Sequence, residues 1–209
     1  MKVLILSPHT DDAELGCGAS IARMVEEGAE ILWIVFSIAE DSLPRHLPRD
    51  TLKKEFMNAL GCLGLQESNA AVHEYQVRRL LERRQDILEE LISARRDFRP
   101  DLVLIPSPCD VHQDHQAVSN EAIRAFKMHA SIVGYELPWN HITFNSGMFV
   151  RLEERHLEKK VEMLRCYRSQ YEKGRNYFTP DFISGLARVR GTQCNYHLAE
   201  AFEVIRWMI

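Results

Sequence analysis

Near-continuous apolar runs constrain the fold of this chain more than any other feature of its sequence. Residues 2–7 (KVLILS) and 29–37 (AEILWIVFS) are long enough for strands and do not alternate between apolar and polar side chains. A strand that is apolar on both sides is buried on both sides, as in a parallel sheet covered by helices. Between the two runs, ELGCGASIARMVEEG has apolar residues at helical spacing and ends at Gly28. This part of the sequence predicts a strand–helix–strand unit with parallel strands.

The same alternation continues to the end of the chain. Residues 38–50 hold two prolines and predict an irregular loop. Helices are predicted at 51–63, 80–98, 116–129 and 153–167, and strands at 71–75, 101–108, 131–139, 142–152 and 199–207. No internal repeat or linker interrupts the pattern. We therefore predict one α/β domain over residues 1–209, a three-layer α/β/α sandwich with a mostly parallel, Rossmann-like sheet.

The composition argues against several classes of partner and compartment. The formal net charge is −4, so no basic excess favours a nucleic-acid partner. Five widely spaced cysteines without a CxxC pair indicate neither a disulfide framework nor a cysteine zinc site. No segment has the pattern of a membrane span or of a signal peptide. We expect a cytoplasmic protein.

Potential metal ligands concentrate directly after two predicted strands. HTDDAE (residues 9–14) follows the first strand, and DVHQDH (residues 110–115) follows the strand at 101–108. In parallel sheets, active sites form beyond the carboxyl ends of the strands, so the two loops face each other if their strands are neighbours. Histidine and aspartate in this number suit a divalent metal of the zinc class, which takes three protein ligands and leaves one position for water.

A simpler interpretation of these residues is local. A single histidine or aspartate at a strand end usually forms a turn or caps a helix, and Asp12 and Asp114 each precede or begin a predicted helix. Three histidines and several aspartates divided between two equivalent strand ends favour a metal site over capping alone.

The two loops also resemble a known family. SPHTDDAELGCGAS resembles the P-H-P-D-D-x-E-x-G-x-G-G signature of the PIG-L/LmbE-type zinc-dependent de-N-acetylases, and HQDH is similar to that family's second motif, H-x-D-H. RPDLVLIPSP, YRSQY and AEAFEVIR extend the similarity over nearly the whole chain. The resemblance implies an LmbE-like fold, a small-molecule substrate and a homo-oligomer, with a hexamer as one form. The implied activity is metal-dependent removal of acetyl from an N-acetylated amino sugar or its conjugate.

The resemblance also implies roles for individual residues. The implied metal ligands are His9, Asp12 and His115, holding Zn²⁺ or alternatively Fe²⁺, since sites of two histidines and one aspartate accept either ion. Asp11 is the implied general base that deprotonates the attacking water. His112 is expected to stabilise the oxyanion and assist departure of the amine, with Asp114 orienting it. Glu14 matches an acid that helps hold the site or the sugar.

Substrate-binding residues are less well defined by the sequence. Relatives often place an arginine three residues before a helix glutamate; if Glu55 is that glutamate, the position is Leu52. Arg49 or Arg45, in the preceding loop, are the alternatives. Nearer the C-terminus, Arg168, Arg175 and Arg190 have two interpretations, as a phosphate-binding group on an activated sugar or as surface and interface pairs.

Two other functions fit the same residues. Histidine and aspartate clusters also serve metal-dependent phosphoesterases, although those sites commonly bind two ions through bridging ligands that this set lacks. The second alternative is a catalytically silent sugar-binding subunit, against which the complete set of base, ligands and acid argues.

Overall fold

A computed structural model describes residues 1–208 and confirms the predicted α/β class. Its strands are β1 (Lys2–His9), β2 (Glu30–Ser37), β3 (Ala70–Val72), β4 (Leu102–Pro106), β5 (Ser131–Tyr135), β6 (Met148–Leu152) and β7 (Leu198–Arg206). Its α-helices are α1 (Asp12–Glu26), α2 (Thr51–Cys62), α3 (Arg84–Asp97), α4 (Gln113–Phe126), α5 (Glu154–Arg165), α6 (Arg168–Tyr171) and α7 (Pro180–Gln193). Within residues 1–208, none of these helices combines the length and apolar character needed to cross a membrane.

The strands form one mixed sheet in the order β3-β2-β1-β4-β5-β7-β6. The pairings from β3 through β5 are parallel, whereas β7 runs antiparallel to both β5 and β6. Strand β1 lies between β2 and β4, and Leu4 pairs with Val103. Because β1 and β4 are parallel neighbours, the loops that follow them leave the sheet at the same edge.

Strand β1 shows why its sequence lacks polar alternation. Val3 and Ile5 belong to the apolar core formed with α1, α2, α5 and α7. Leu4 and Leu6 point to the other face, into the core formed with α3 and α4. All four side chains are fully buried. Helices therefore cover both faces of the sheet at this strand, as the continuous apolar run predicted.

Several elements differ from the sequence prediction: the strand predicted at 131–139 ends at Tyr135, α4 begins three residues earlier than predicted, and α6 is not predicted. The strand predicted at 142–152 is limited to β6, and the helix predicted from residue 80 begins as a 3-10 turn (Leu80–Arg83) before α3. Helix α7 is not predicted at all, because Pro180, Gly185 and Gly191 weaken its pattern. Its start is stabilised by Thr179, whose hydroxyl accepts a hydrogen bond from the Phe182 N–H at 3.2 Å.

Close packing of α1 on the sheet depends on a glycine. A Cβ atom at Gly16 would lie 2.9 Å from Cγ of Tyr135 and closer still to Cδ2 of the same ring. The Tyr135 ring is fully buried, and its hydroxyl donates to the Leu6 carbonyl oxygen at 3.0 Å, so the ring cannot easily move aside. We expect Gly16→Ala to lower the free energy of unfolding by about 1–3 kcal/mol, measured by urea denaturation.

Gly61→Ala provides the matched control. Gly61 is also helical, in α2, but no atom lies within 4 Å of the position of an added Cβ. Alanine there is expected to raise the stability by up to about 1 kcal/mol, because it restricts the unfolded chain without a clash. If both variants had the same stability, the close approach at Gly16 would not be the reason for that glycine.

Candidate active site

The two loops predicted to carry the ligands meet beyond the carboxyl edge of β1 and β4. Strand β1 ends at His9 and α1 begins at Asp12, so only two residues separate strand from helix. After β4, His112 is the N-cap residue of α4 and His115 lies in the first turn of that helix. Both loops line one cavity of about 360 Å³. The short connections fix these side chains to rigid elements.

Three atoms from the implied ligands lie close enough to share one ion. His9 Nδ1 is 3.0 Å from Asp12 Oδ2 and 3.4 Å from His115 Nε2. The third side of this triangle, from Asp12 Oδ2 to His115 Nε2, measures 3.3 Å. Ligand atoms around a tetrahedral zinc ion with bonds of about 2.0–2.1 Å are separated by about 3.3 Å. The two imidazoles and one carboxylate therefore fit such an ion in both chemistry and spacing.

Each histidine of this triangle is held by a carboxylate on its other ring nitrogen. His9 Nε2 lies 2.9 Å from Asp114 Oδ2, and His115 Nδ1 lies 2.7 Å from Asp110 Oδ2. In a metal-binding histidine, one ring nitrogen donates its hydrogen to a carboxylate, and the other ring nitrogen binds the ion through its lone pair. The carboxylates of Asp114 and Asp110 are placed for this arrangement. Asp110 received no role from the sequence, although it opens the second loop.

The structure corrects the partner of Asp114. We expected its side chain to orient His112, but its carboxylate contacts His9 and accepts hydrogen bonds from the backbone N–H groups of Arg78 (2.6 Å) and Leu80 (3.1 Å). The physical reason is position on the helix. Asp114 lies in the first turn of α4 and is fully buried against β1 and the segment around Arg78, whereas only its backbone N–H contacts the His112 ring.

His112 is presented as a hydrogen-bond donor. Its Nδ1 accepts from the Asp114 N–H at 3.1 Å, and burial, together with His115 and His9, lowers the pKa of its imidazole. A neutral ring whose Nδ1 accepts must carry its proton on Nε2. One ring nitrogen from each of His9, His112 and His115 also lies within 4.8 Å of the other two, so a three-histidine set is the alternative way to hold an ion.

The carboxylates of the site stabilise positive charge on its histidines. Burial alone favours neutral imidazole, but Asp12 and Asp114 raise the pKa of His9 to about 9. In the same way, Asp12 and Asp110 raise the pKa of His115 to about 10. Burial opposes ionisation of Asp12, yet His115 and His9 hold its pKa well below the usual range. A divalent cation would compete with protons for this cluster.

Asp11 differs electrostatically from its neighbour. Burial and the charge of Asp12 raise the pKa of the Asp11 carboxyl to about 6. Asp11 lines the cavity next to the triangle of ligand atoms without being part of it. A carboxyl group with a pKa near neutrality, in contact with the cavity, is suited to accept a proton.

The predicted substrate-binding residues lie elsewhere. Arg45 and Arg49 are exposed and do not line the cavity, and Arg49 instead lies 3.2 Å from Glu40. Glu14 is fully buried behind the first loop, where the Tyr167 hydroxyl contacts it and the Thr10 carbonyl oxygen. Burial raises the pKa of Glu14 well above its usual value. This side chain supports the loop and does not reach the cavity.

Three cationic side chains other than Arg45 and Arg49 line the cavity. They are Arg78, Lys173 and Arg175, of which only Arg175 was considered from the sequence. Arg168 does not line the cavity, and Arg190 is paired with Glu136 at 2.8 Å. Arg78 and Lys173 lie in segments without regular structure or a recognisable motif, so no sequence signal distinguished them from surface residues.

Solved structures show the same fold across several activities. A conserved protein of Thermus thermophilus is similar with a TM-score of 0.81 and 23% identity, over 99% of this chain and 96% of that chain. N,N'-diacetylchitobiose deacetylase from Pyrococcus horikoshii is similar with a TM-score of 0.76 and 22% identity, over 98% of this chain and 83% of that chain. A 4-carboxy-2-hydroxymuconate hydratase from Pseudomonas putida KT2440 is similar with a TM-score of 0.79 and 20% identity, over 100% of this chain and 97% of that chain. At these identities the likeness shows the fold alone.

The sequence itself defines the family. The model of the PIG-L family, described as GlcNAc-PI de-N-acetylase, matches residues 4–126, more than half of the chain and both loops of the site. The chain belongs to the PIG-L family. The uncharacterized deacetylase YaiS of Escherichia coli K12 is 28% identical over 170 residues, or 80% of this chain and 90% of that protein. Diacetylchitobiose deacetylase of Thermococcus kodakarensis is 20% identical over 245 residues, which cover 98% of this chain and 83% of that protein. The homologues are thus deacetylases of the LmbE/PIG-L type.

Proposed function

We propose that this protein is a metal-dependent hydrolase that removes the acetyl group from an N-acetylated amino sugar or its conjugate. The products are acetate and a free amine. The observation that carries this proposal is the triangle of His9 Nδ1, Asp12 Oδ2 and His115 Nε2, with sides of 3.0–3.4 Å, at the wall of the cavity. We assign the activity to residues 1–209 acting as one domain.

His9, Asp12 and His115 are the proposed holders of Zn²⁺ or Fe²⁺. Such an ion, when bound, polarises a carbonyl oxygen and lowers the pKa of water. His112 is the less suitable ligand, because an accepting Nδ1 places the proton on Nε2, the nitrogen that would otherwise bind the ion. When a metal ion displaces the second proton of His9 and His115, the carboxylates of Asp114 and Asp110 would keep the remaining proton on the far nitrogen of each ring.

Asp11 and His112 are the proposed groups that move and stabilise charge during amide hydrolysis. Asp11 accepts a proton from the attacking water, whose oxygen bonds to the acetyl carbon. The Nε2–H of His112 donates to the oxygen that becomes negative as that bond forms. The nitrogen departs as the amine after receiving the proton that Asp11 took, and the C–N bond breaks. This route consumes one water and leaves both side chains as they began.

Metal content discriminates this function from the phosphoesterase alternative. We expect one zinc or iron ion per chain by elemental analysis, because the site has one triangle of ligands and no bridging carboxylate. Removal of the ion by a chelator is expected to abolish acetate release, and zinc is expected to restore it. Two ions per chain, together with hydrolysis of phosphate esters, would support the phosphoesterase and contradict the deacetylase.

A substrate panel tests the reaction itself. Free N-acetylglucosamine, diacetylchitobiose, UDP-N-acetylglucosamine and a malate conjugate of N-acetylglucosamine share the acetamide but differ in their remaining parts. Equal amounts of acetate and free amine from at least one of them are expected. If the metal-loaded protein bound these sugars and released acetate from none, the silent sugar-binding subunit would be the better description.

A further inference from the structure

The wall of the active-site cavity contains an excess of cationic side chains. Arg78, Lys173 and Arg175 line it, against the carboxylates of Asp11 and Asp12. Asp12 is already engaged by His9 and His115. Among residues 1–208, no carboxylate lies within ion-pair distance of any of the three cations. The whole chain has a net charge of −4, so this local positive character is not a property of a generally basic protein.

Arg78 is fixed relative to the catalytic residues by its own backbone. Its φ angle is 68°, a left-handed conformation that non-glycine residues rarely adopt. The conformation is held by the hydrogen bond from its N–H to Asp114, the carboxylate that also contacts His9. Backbone strain of this kind persists where the surrounding structure imposes it, and it concentrates at functional sites.

Arg175 is held by an aromatic wall on another side of the cavity. The rings of Trp139 and Tyr177 stack with centroids 3.8 Å apart, and both line the cavity. The Arg175 guanidinium lies 5.6 Å from the centroid of the Tyr177 ring and hydrogen-bonds to its hydroxyl. A guanidinium that is fixed in this way loses less freedom when it binds a planar or tetrahedral anion.

Lys173 lies near Arg175 and shares its electrostatic environment. Its Nζ donates to Gln170 Oε1 at 3.1 Å, a neutral partner, and no salt bridge holds it within residues 1–208. Burial and repulsion by the neighbouring Arg175 lower the pKa of Lys173, and the carboxylates of Asp11 and Glu55 oppose this shift only in part. An anion placed between them would relieve this repulsion and gain charge-assisted hydrogen bonds.

We propose that the natural substrate carries an anionic group, phosphate or carboxylate, that Arg78, Lys173 and Arg175 bind while its acetamide faces the catalytic residues. This inference rests on the proposed deacetylase function and adds the substrate class. Neutral N-acetyl sugars lack a group for these cations. They are therefore poorer substrates than anionic derivatives of the same sugar.

Matched substrates measure the preference directly. N-acetylglucosamine is compared with N-acetylglucosamine 6-phosphate, which adds a phosphate, and with N-acetylmuramic acid, which adds a carboxylate. One charge-assisted contact corresponds to about a tenfold change or more in kcat/KM, so at least one anionic substrate is expected to exceed the neutral sugar by that factor. The anionic substrate with the higher kcat/KM shows whether the cations prefer a phosphate or a carboxylate. Raising the ionic strength is expected to reduce the preference.

Variants locate the preference at the three cations. Lys173→Gln and Arg175→Gln are each expected to reduce the anionic-to-neutral ratio of kcat/KM by about tenfold. Arg78→Gly removes the third cation and keeps the left-handed backbone, since glycine adopts that conformation freely. Arg49→Gln, an exposed arginine outside the cavity, is the matched control and is expected to retain the wild-type ratio. A wild-type ratio near one, or a ratio that none of the three cavity variants changes, overturns the inference.

A binding measurement separates this inference from the deacetylase proposal. Glucose 6-phosphate has no acetamide, so its affinity reports the anion site whatever reaction the protein performs. Calorimetry is expected to show that glucose 6-phosphate binds more tightly than glucose and that Arg175→Gln weakens the binding of glucose 6-phosphate. If it binds in this way but no N-acetyl sugar is hydrolysed, the deacetylase proposal fails and the anion site stands. If neutral and anionic sugars are hydrolysed equally and glucose 6-phosphate does not bind more tightly than glucose, the anion-site inference fails and the deacetylase proposal stands.

Discussion

Replacing Asp11 with asparagine is expected to lower kcat/KM for deacetylation by a factor of about 10²–10⁴, the usual contribution of a general base. Asparagine has nearly the same shape but cannot accept the proton that the attacking water loses. Asp11 is not part of the triangle of ligand atoms, so the metal content is expected to stay at one ion per chain. Acetate release and elemental analysis on the same preparation measure both quantities.

The control for this variant is an exposed aspartate that does not line the cavity. Asp86 lies on α3, where it pairs with Arg83 at 3.3 Å, and Asp86→Asn is expected to retain wild-type turnover. Near-normal turnover in Asp11→Asn would show that the base lies elsewhere. Loss of the metal together with activity would make Asp11 a ligand and not the base.

His115→Ala is expected to remove both the metal and the activity. The substitution deletes one corner of the triangle and leaves Asp12 with one histidine partner in place of two. Asp110→Asn provides a graded comparison, because Asp110 contacts Nδ1 of His115 and not the Nε2 atom of the triangle. Asp110 also accepts hydrogen bonds from the His112 N–H at 2.8 Å and from the Asn140 amide at 3.2 Å. Loss of such a supporting carboxylate typically costs about 10–100-fold in metal affinity, and loss of the ligand itself costs more. Metal titration with a competing chelator measures both variants.

Two further histidines make this experiment decisive. His197 is exposed and pairs with Glu154 at 2.9 Å, so His197→Ala is expected to bind metal as the wild type does. His112→Ala is expected to keep its metal while losing turnover, because we assign His112 to the oxyanion and not to the ion. Metal loss in His112→Ala would favour the three-histidine set. A His115→Ala protein that kept stoichiometric zinc would refute the proposed ligand triangle.

The fold does not determine the reaction. A hydratase and a deacetylase have TM-scores of 0.79 and 0.76 with this chain, so proteins with different activities share this fold. The proposed deacetylation therefore depends on particular atoms: the proposed ligand triangle, the proposed base Asp11 and the proposed donor His112. The experiments above address those atoms directly.

Much of the framework could be predicted from the sequence because it depends on local patterns. Continuous apolar runs predicted buried strands, and the loops that carry His9 and His112 follow two of them. Parallel neighbours release their loops at one edge, so the meeting of the two loops followed once β1 and β4 were adjacent. Helix α7 escaped prediction because it is stabilised by packing, with Ile183 and Ala187 buried in the core, more than by its own helical pattern.

Local sequence was enough to establish the α/β class, the two reactive loops and the types of side chain available to a metal. Which of these groups touch was settled by tertiary packing alone. Asp114 contacts His9, 105 residues earlier in the chain, and the cations that line the cavity are Arg78, Lys173 and Arg175 in place of Arg45 and Arg49. Spacing along a strand or helix fixes neighbours within that element only. Contacts between distant loops depend on how the whole sheet brings them together.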